Sequence, residues 1–239
     1  MPTEYDNIDI IGTTHDISRN FVDEMMNKYY HKQEVLTVQE LLSKMNLNNF
    51  NSVIDLGCSV GTWFDNFKKF GFQKIIGIDI SKERADKAKA RGYNETYICN
   101  AYELPFEDDS QTCVISNDVF VHVLQDADKL KIFHEIYRVL KKNGIFLFNF
   151  ANAKGFGYNK NQTITYCRYC TLETIQDLIN QTKFTIEYVL PSYFAIPRIG
   201  SNPHFVSLSS NIIFPTMDKI LKKLNCISNV KVIYLGLRK

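Results

Sequence analysis

Between Asp55 and Gly61 the chain reads Asp-Leu-Gly-Cys-Ser-Val-Gly, an acid followed by two closely spaced glycines. Glycine lets a backbone approach a ligand closely, and the amides that open a following helix favour negative charge. The pattern D-x-G-x-S-x-G is not the G-x-G-x-x-G of dinucleotide binding, which makes nicotinamide-dependent hydride transfer the weaker reading. A second acid, Asp79, closes the apolar run that starts at Lys74. A carboxylate at the end of the second strand of a doubly wound sheet is placed to accept both hydroxyls of a ribose. His122, in Ser116-Asn-Asp-Val-Phe-Val-His122, is the best candidate for a general base, because histidine ionises near neutrality. A histidine that starts a helix and bonds to backbone has the same sequence signature.

These residues need elements to hold them. Short apolar runs alternate with helical patterns through the centre of the chain, which argues for βαβ units and a parallel sheet. Strands are expected near 52–57, 74–80, 96–100, 113–118 and 144–150, and helices near 62–70, 82–91 and 126–141. Ser81 reads as an N-cap and Gly92 as the residue that ends the second of these helices. Lys142-Asn-Gly144 reads as a turn. Upstream, residues 16–45 look helical, with Val22, Met25, Met26, Tyr29, Val35, Val38, Leu41, Leu42 and Met45 at helical spacing. Downstream, 151–170 is rich in Asn, Gly and Tyr. Thr171 caps a helix, 185–190 reads as a strand, 191–214 as a long loop, 217–224 as a short helix and 230–237 as a final strand. A loop that long in a compact domain is usually functional.

The chain has 239 residues, 45% hydrophobic and 13% aromatic, which suits one folded domain with a sizeable core. A net charge of +2 gives no electrostatic footprint for nucleic acid. No apolar run reaches membrane-spanning length and no signal peptide is visible, so a cytoplasmic protein is expected, with no nucleic-acid or membrane partner. Oligomeric state, monomer or homodimer, is open. Cys167-Arg-Tyr-Cys170 is a C-x-x-C without a second ligand pair, so no metal is expected and the two thiols read as unlinked.

Four segments taken together carry a resemblance. They are Ser52–Trp63, Lys74–Ile80, Tyr97–Phe106 and Glu135–Phe148, in this order and spacing. With them the chain resembles the class I S-adenosylmethionine-dependent methyltransferases, from about Val53 to Phe150 and more loosely beyond. The resemblance implies a Rossmann-like α/β fold. Its seven-stranded, mostly parallel sheet has the order 3-2-1-4-5-7-6, with helices on both faces. It implies one domain: an N-terminal helical lid (1–50), a cofactor-binding core (51–150) and a substrate-side region with the C-terminal strands (151–239). S-adenosyl-L-methionine is the implied cofactor.

By the same resemblance Asp55, Gly57, Cys58, Ser59 and Gly61 surround the methionine tail, with Asp55 near its ammonium through water. Asp79 takes the ribose, Ile80 packs on the adenine, Asn100 and Ala101 meet its edge, and Asn117 lies at the donor side. Ser59 stands where a second glycine is usual, and Asn100 where an acid is usual. His122 follows strand four, where donor and acceptor meet in the family. Ser116-Asn-Asp-Val is not the Asn-Pro-Pro-Tyr of many amino methyltransferases. The implied activity is methyl transfer to oxygen or nitrogen of a small molecule or carbohydrate-type metabolite. A non-catalytic cofactor-binding partner protein and a protein or nucleic-acid methyltransferase are the alternatives. Tyr5, Tyr29 or Tyr30 of the lid could meet a ligand. Tyr166, Arg168, Tyr169, Tyr193, Phe194, Arg198 and His204 gather in loop-like sequence that suits a polar, anionic acceptor or a self-packed lid.

Overall fold

A computed structural model describes residues 21–155, 167–193 and 230–239, with Thr216 and Ile220, and the side chains of the first helix from residue 27 onward. Its elements are α1 (Phe21–Lys44), β1 (Ser52–Leu56), α2 (Phe64–Phe70), β2 (Lys74–Asp79), α3 (Lys82–Arg91), β3 (Glu95–Ile98), β4 (Gln111–Ser116), α4 (Asp126–Val139), β5 (Leu140–Ala151), α5 (Leu172–Ile179), β6 (Thr185–Tyr193) and β7 (Val232–Arg238). The strands form one sheet in the order β3-β2-β1-β4-β5-β7-β6, as the resemblance implies. The pairs from β3 to β5 are parallel, whereas β7 runs antiparallel to both of its neighbours.

Both faces of the sheet are covered, which explains why the central strands read as continuous apolar runs. On one face Ile132, Phe133, Ile136 and Val139 of α4 and Ile175 and Ile179 of α5 pack on Ile54, Val114, Phe146 and Phe148. On the other, Val38, Leu41, Leu42 and Met45, along α1 and just past its end, join Trp63, Phe67, Tyr93, Ile115, Leu147 and Tyr234. From Val38 onward the apolar stripe on α1 is therefore core, and Trp63 is buried with it, whereas the side chains of Val22, Met25 and Met26 lie outside the described residues.

Local chemistry sets the boundaries. Ser81 accepts from the Arg84 amide and Thr171 from that of Thr174, each satisfying an orphan donor of the helix it starts. Gly71 and Gly92 end α2 and α3 at positive φ.

Two expected boundaries are corrected. No turn follows α4: Leu140 is already extended and starts β5. The expected turn at 142–144 is instead an interruption within the strand. Gln111 pairs with Leu140 but Cys113 with Ile145, and Asn143 takes a φ of 65°. At the other boundary the expected loop from 191 begins later, because β6 continues through Pro191 to Tyr193. β6 lies at the sheet edge, where a proline costs no ladder bond on its open side, and the register shifts there. The rest of 194–214, Met217–Leu224 apart from Ile220, and Tyr5, His15, Tyr166, Phe194, Arg198 and His204 lie outside the described residues.

Candidate functional site

The loop between β1 and α2 is built from inverted backbone. Gly57 (φ 80°), Ser59 (φ 47°) and Gly61 (φ 82°) all lie in the left-handed region. Ser59 holds there without the freedom of glycine, a conformation that needs local support. Asp79 supplies it: its Oδ2 accepts from the Ser59 amide at 2.9 Å, and its Oδ1 from the Ser81 amide at 2.9 Å. The Gly57 and Cys58 amides both donate to the Ile78 carbonyl, at 2.8 and 2.9 Å, which ties the loop to the end of β2. Each Asp79 oxygen keeps a further lone pair for a hydroxyl donor.

Both glycines are required by space as well as by angle. A Cβ on Gly57 would lie 2.1 Å from Val119 Cγ2, and one on Gly61 would lie 3.0 Å from Tyr93 Cε2. The loop thus presses directly on the segment that follows β4.

Asp55 is buried at the base of this loop, and its Oδ2 accepts from the Tyr93 hydroxyl at 2.5 Å. Burial lifts its carboxyl from 3.8 to about 7, against the pull of the Tyr93 bond and with a further push from the Asp79 charge. Burial and the neighbouring Asp55 likewise push the Tyr93 hydroxyl and the Cys58 thiol upward, so both stay protonated. Sequence reasoning missed Tyr93. Its signal was an aromatic placed directly after the helix-ending Gly92.

Asn100 and Ala101 follow β3, half-buried, and the Asn100 carbonyl accepts from the Glu103 amide at 3.0 Å. Ile80 closes the segment after β2, half-buried. Asn117 and Asp118 leave β4. The Tyr234 hydroxyl donates to Asn117 Oδ1 at 2.8 Å, whereas Asn117 Nδ2 and Ser116 Oγ are buried with no hydrogen-bond partner among the described residues. Asp118 sits at φ 58° and is clamped by Asn149: its amide donates to Asn149 Oδ1 at 2.6 Å, and its Oδ1 accepts from Asn149 Nδ2 at 2.9 Å. Asn149, a polar residue inside the run from Ile145 to Phe150, was the readable signal for this clamp.

His122 closes the short turn after Asp118, its amide donating to the Val119 carbonyl at 2.9 Å. Its Nδ1 lies 3.8 Å from Cys167 Sγ, so the side chain faces the 167–170 segment. Cys167 and Cys170 are both free thiols, and no metal-binding cluster of His, Cys, Asp or Glu exists among the described residues. Arg168, which suited either an anionic acceptor or a self-packed lid, pairs with Asp126 at 2.7 Å and donates to the Leu124 carbonyl at 2.6 Å. His134 is exposed. No helix among the described residues is long and apolar enough to cross a membrane.

Comparison with known proteins bears on this geometry. Residues 54–148 match a family described as a methyltransferase domain. An uncharacterised protein of Methanocaldococcus jannaschii is 28% identical over 137 residues, covering 56% of this chain and 51% of that protein. The carboxy-S-adenosyl-L-methionine synthase of Nautilia profundicola is 31% identical over 135 residues, covering 53% of this chain and 56% of that protein. The chain spans about half the length of the curated relatives it matches. Among solved structures, the geranyl diphosphate C-methyltransferase of Streptomyces coelicolor aligns with a TM-score of 0.61 at 13% identity, over 95% of this chain and 88% of the other. That structure holds Mg2+, geranyl diphosphate and S-adenosyl-L-homocysteine.

Proposed function

We propose that this chain is a class I S-adenosylmethionine-dependent methyltransferase that transfers a methyl group from S-adenosyl-L-methionine to oxygen or nitrogen of a small molecule. The observation that carries the reading is the cradle from Gly57 to Gly61, whose inverted backbone is held open by Asp79. The two glycines let the loop close on Val119 and Tyr93, and a carboxylate with spare lone pairs stands beside it. The residues fit the cofactor. Gly57, Cys58, Ser59 and Gly61 would face its amino-acid tail, Asp79 its ribose, and Ile80, Asn100 and Ala101 its adenine. Asn117 Nδ2, a buried donor, would meet an oxygen acceptor there.

When bound, the cofactor supplies an electrophilic methyl group on a sulfonium, already a good leaving group. The protein's share is then chiefly placement of the acceptor. Asp55, whose carboxyl burial raises to about 7, keeps its proton far more readily than a free carboxyl and so tempers the negative charge beside Asp79. His122 would take a proton where the acceptor is a hydroxyl. His122→Ala should then lower turnover by about 10²- to 10⁴-fold and leave cofactor affinity intact. Near-normal turnover in that variant would assign His122 to the packing of the 167–170 segment.

Calorimetry on the purified chain with S-adenosylmethionine and S-adenosylhomocysteine tests the reading at its base. Binding of both is expected, with S-adenosylhomocysteine released in the presence of a competent acceptor. Binding of neither would overturn it.

A further inference from the structure

We propose that Tyr93 is a positioning residue for the amino-acid tail of the cofactor, acting through Asp55, whose carboxyl it aims from beneath the Gly57–Gly61 loop. This rests on the methyltransferase reading above and adds to it a residue that governs one part of the ligand.

Tyr93 is buried and built into the floor of the cradle. Its ring stands between two glycines. A Cβ on Gly61 of the loop would lie 3.0 Å from Cε2 at one edge of the ring, and a Cβ on Gly77 of β2 would lie 3.0 Å from Cδ1 at the other. Phe64 of α2 packs on it with ring centroids 5.6 Å apart. The backbone is held as well. The Tyr93 amide donates to the Ala88 carbonyl at 3.4 Å. The next residue, Asn94, donates its amide to the Ile75 carbonyl at 3.0 Å and accepts from the Ile75 amide at 2.8 Å. A ring held on so many sides brings its hydroxyl to one place, 2.5 Å from Asp55 Oδ2. Phenylalanine would fill the same space; what tyrosine adds is the bond to Asp55.

The chemistry of the tail singles out Asp55. S-adenosylmethionine and S-adenosylhomocysteine both carry an ammonium there. Of the two carboxyls at the cradle, Asp79 spends an oxygen on each of two backbone amides, those of Ser59 and Ser81. Asp55 accepts from a hydroxyl instead, and a carboxyl has further lone pairs. Buried charges are screened little, so an ionised Asp55 attracts an ammonium on the loop above it without touching it.

Tyr93 also biases that ionisation. Burial holds the proton on Asp55, lifting its carboxyl to about 7, and the Tyr93 bond works the other way by stabilising the carboxylate. The Tyr93 hydroxyl itself stays protonated, so it donates whether Asp55 is charged or neutral. Asp79 at the end of β2, Cys58 in the loop and Arg91 at the end of α3 are the other groups that act on this pair. Without the hydroxyl, Asp55 would loosen in aim and stay neutral to higher pH.

The test uses the full chain and two probes, S-adenosylhomocysteine and 5′-methylthioadenosine. They share adenine, ribose and a thioether sulfur, and only the first carries the tail. Each is titrated calorimetrically from about pH 5.5 to about pH 8, a range that spans the Asp55 ionisation. In the wild type the affinity ratio of S-adenosylhomocysteine to 5′-methylthioadenosine should rise with pH and level off once Asp55 is charged. Tyr93→Phe should lower that ratio roughly five-fold at neutral pH, as when an ionisation centred there moves up by about one pH unit. Its plateau should come at higher pH, and 5′-methylthioadenosine affinity should stay near that of the wild type. Asp55→Asn should make the ratio independent of pH. Equal losses for both probes in Tyr93→Phe would make Tyr93 a structural brace of the loop and overturn the proposal, as would an unchanged ratio. A wild-type ratio that does not vary with pH would overturn it even where a variant fails to fold. Binding of neither probe by the wild type would instead count against the methyltransferase reading on which the proposal rests.

Discussion

At Gly57 a single methyl group separates a working cradle from a blocked one. Gly57→Ala places a Cβ 2.1 Å from Val119 Cγ2 and forces alanine to a φ of 80°, a conformation that costs roughly 1–2 kcal/mol for an L-residue. S-adenosylmethionine affinity should fall at least about ten-fold, corresponding to some 1.4 kcal/mol. Adding Val119→Ala should restore part of it, since the collision is with the valine while the backbone strain remains. Calorimetry on the single and double variants separates the two causes.

Asp55 gives a prediction in pH. Its carboxyl is raised from 3.8 to about 7 by burial, so the folded state holds the proton more tightly than the unfolded state. Below about pH 4 both states are protonated and the residue costs nothing. As pH climbs towards 7 the unfolded chain ionises first, and up to roughly 4 kcal/mol of stability is lost by the time the folded carboxyl follows. Asp55→Asn keeps an oxygen for the Tyr93 hydroxyl but has no proton to lose. Denaturant unfolding from about pH 5 to about pH 8 should therefore show the variant gaining on the wild type. A constant difference would mean that Asp55 titrates alike in both states. At this scale the acids and glycines of the cradle were legible because glycine and carboxylate at strand ends have few other uses. Tyr93 and Asp118 were not, because their roles depend on Asp55 and Asn149, 38 and 31 positions away in the chain.

Helix α1 depends on a glycine in a strand. A Cβ on Gly236 of β7 would lie 2.5 Å from Met45 Sδ and 3.4 Å from Leu41 Cδ2. The Arg238 guanidinium also donates to the Met45 carbonyl at 2.6 Å, tying the segment after α1 to the same strand. Gly236→Ala should cost about 1–3 kcal/mol in chemical denaturation, the usual range for overpacking a core. It should leave cofactor affinity nearly unchanged, since the cradle lies on β1 and β2. The order of elements was readable because hydrophobic periodicity and capping residues are local. Ser81, Gly92 and Thr171 each mark an end by a bond made within a few residues. The start of β5 was not readable. The interruption at 141–144 is imposed by pairing with β4, and Lys142-Asn-Gly144 fits a free turn equally well. Pro191 hid the end of β6 for the same reason, since only its place at the sheet edge makes the proline acceptable.

Across the described residues β1, β2 and β3 carry the cradle, while β6 and β7 carry helix α1. A cofactor that engages only the folded cradle should stabilise the whole domain, by about 2.7 kcal/mol at a concentration 100 times its dissociation constant. A thermal melt with S-adenosylhomocysteine reads this directly, and an unchanged midpoint at saturation would show binding to unfolded chain as well. The antiparallel insertion of β7 has a consequence in time. In the described sheet β6 pairs only with β7, and β7 joins Arg238 to Ile145 across more than ninety residues. Contacts so distant in sequence form late, because the closure of a long loop must precede any gain from pairing. The cradle half should accordingly acquire amide protection early in refolding, and the Tyr234 amide only in a later phase, measurable by pulsed hydrogen exchange. Until that phase the flank of β5 is an open edge of unpaired amides, so refolding at high concentration should lose chains to aggregation through that strand rather than through β3.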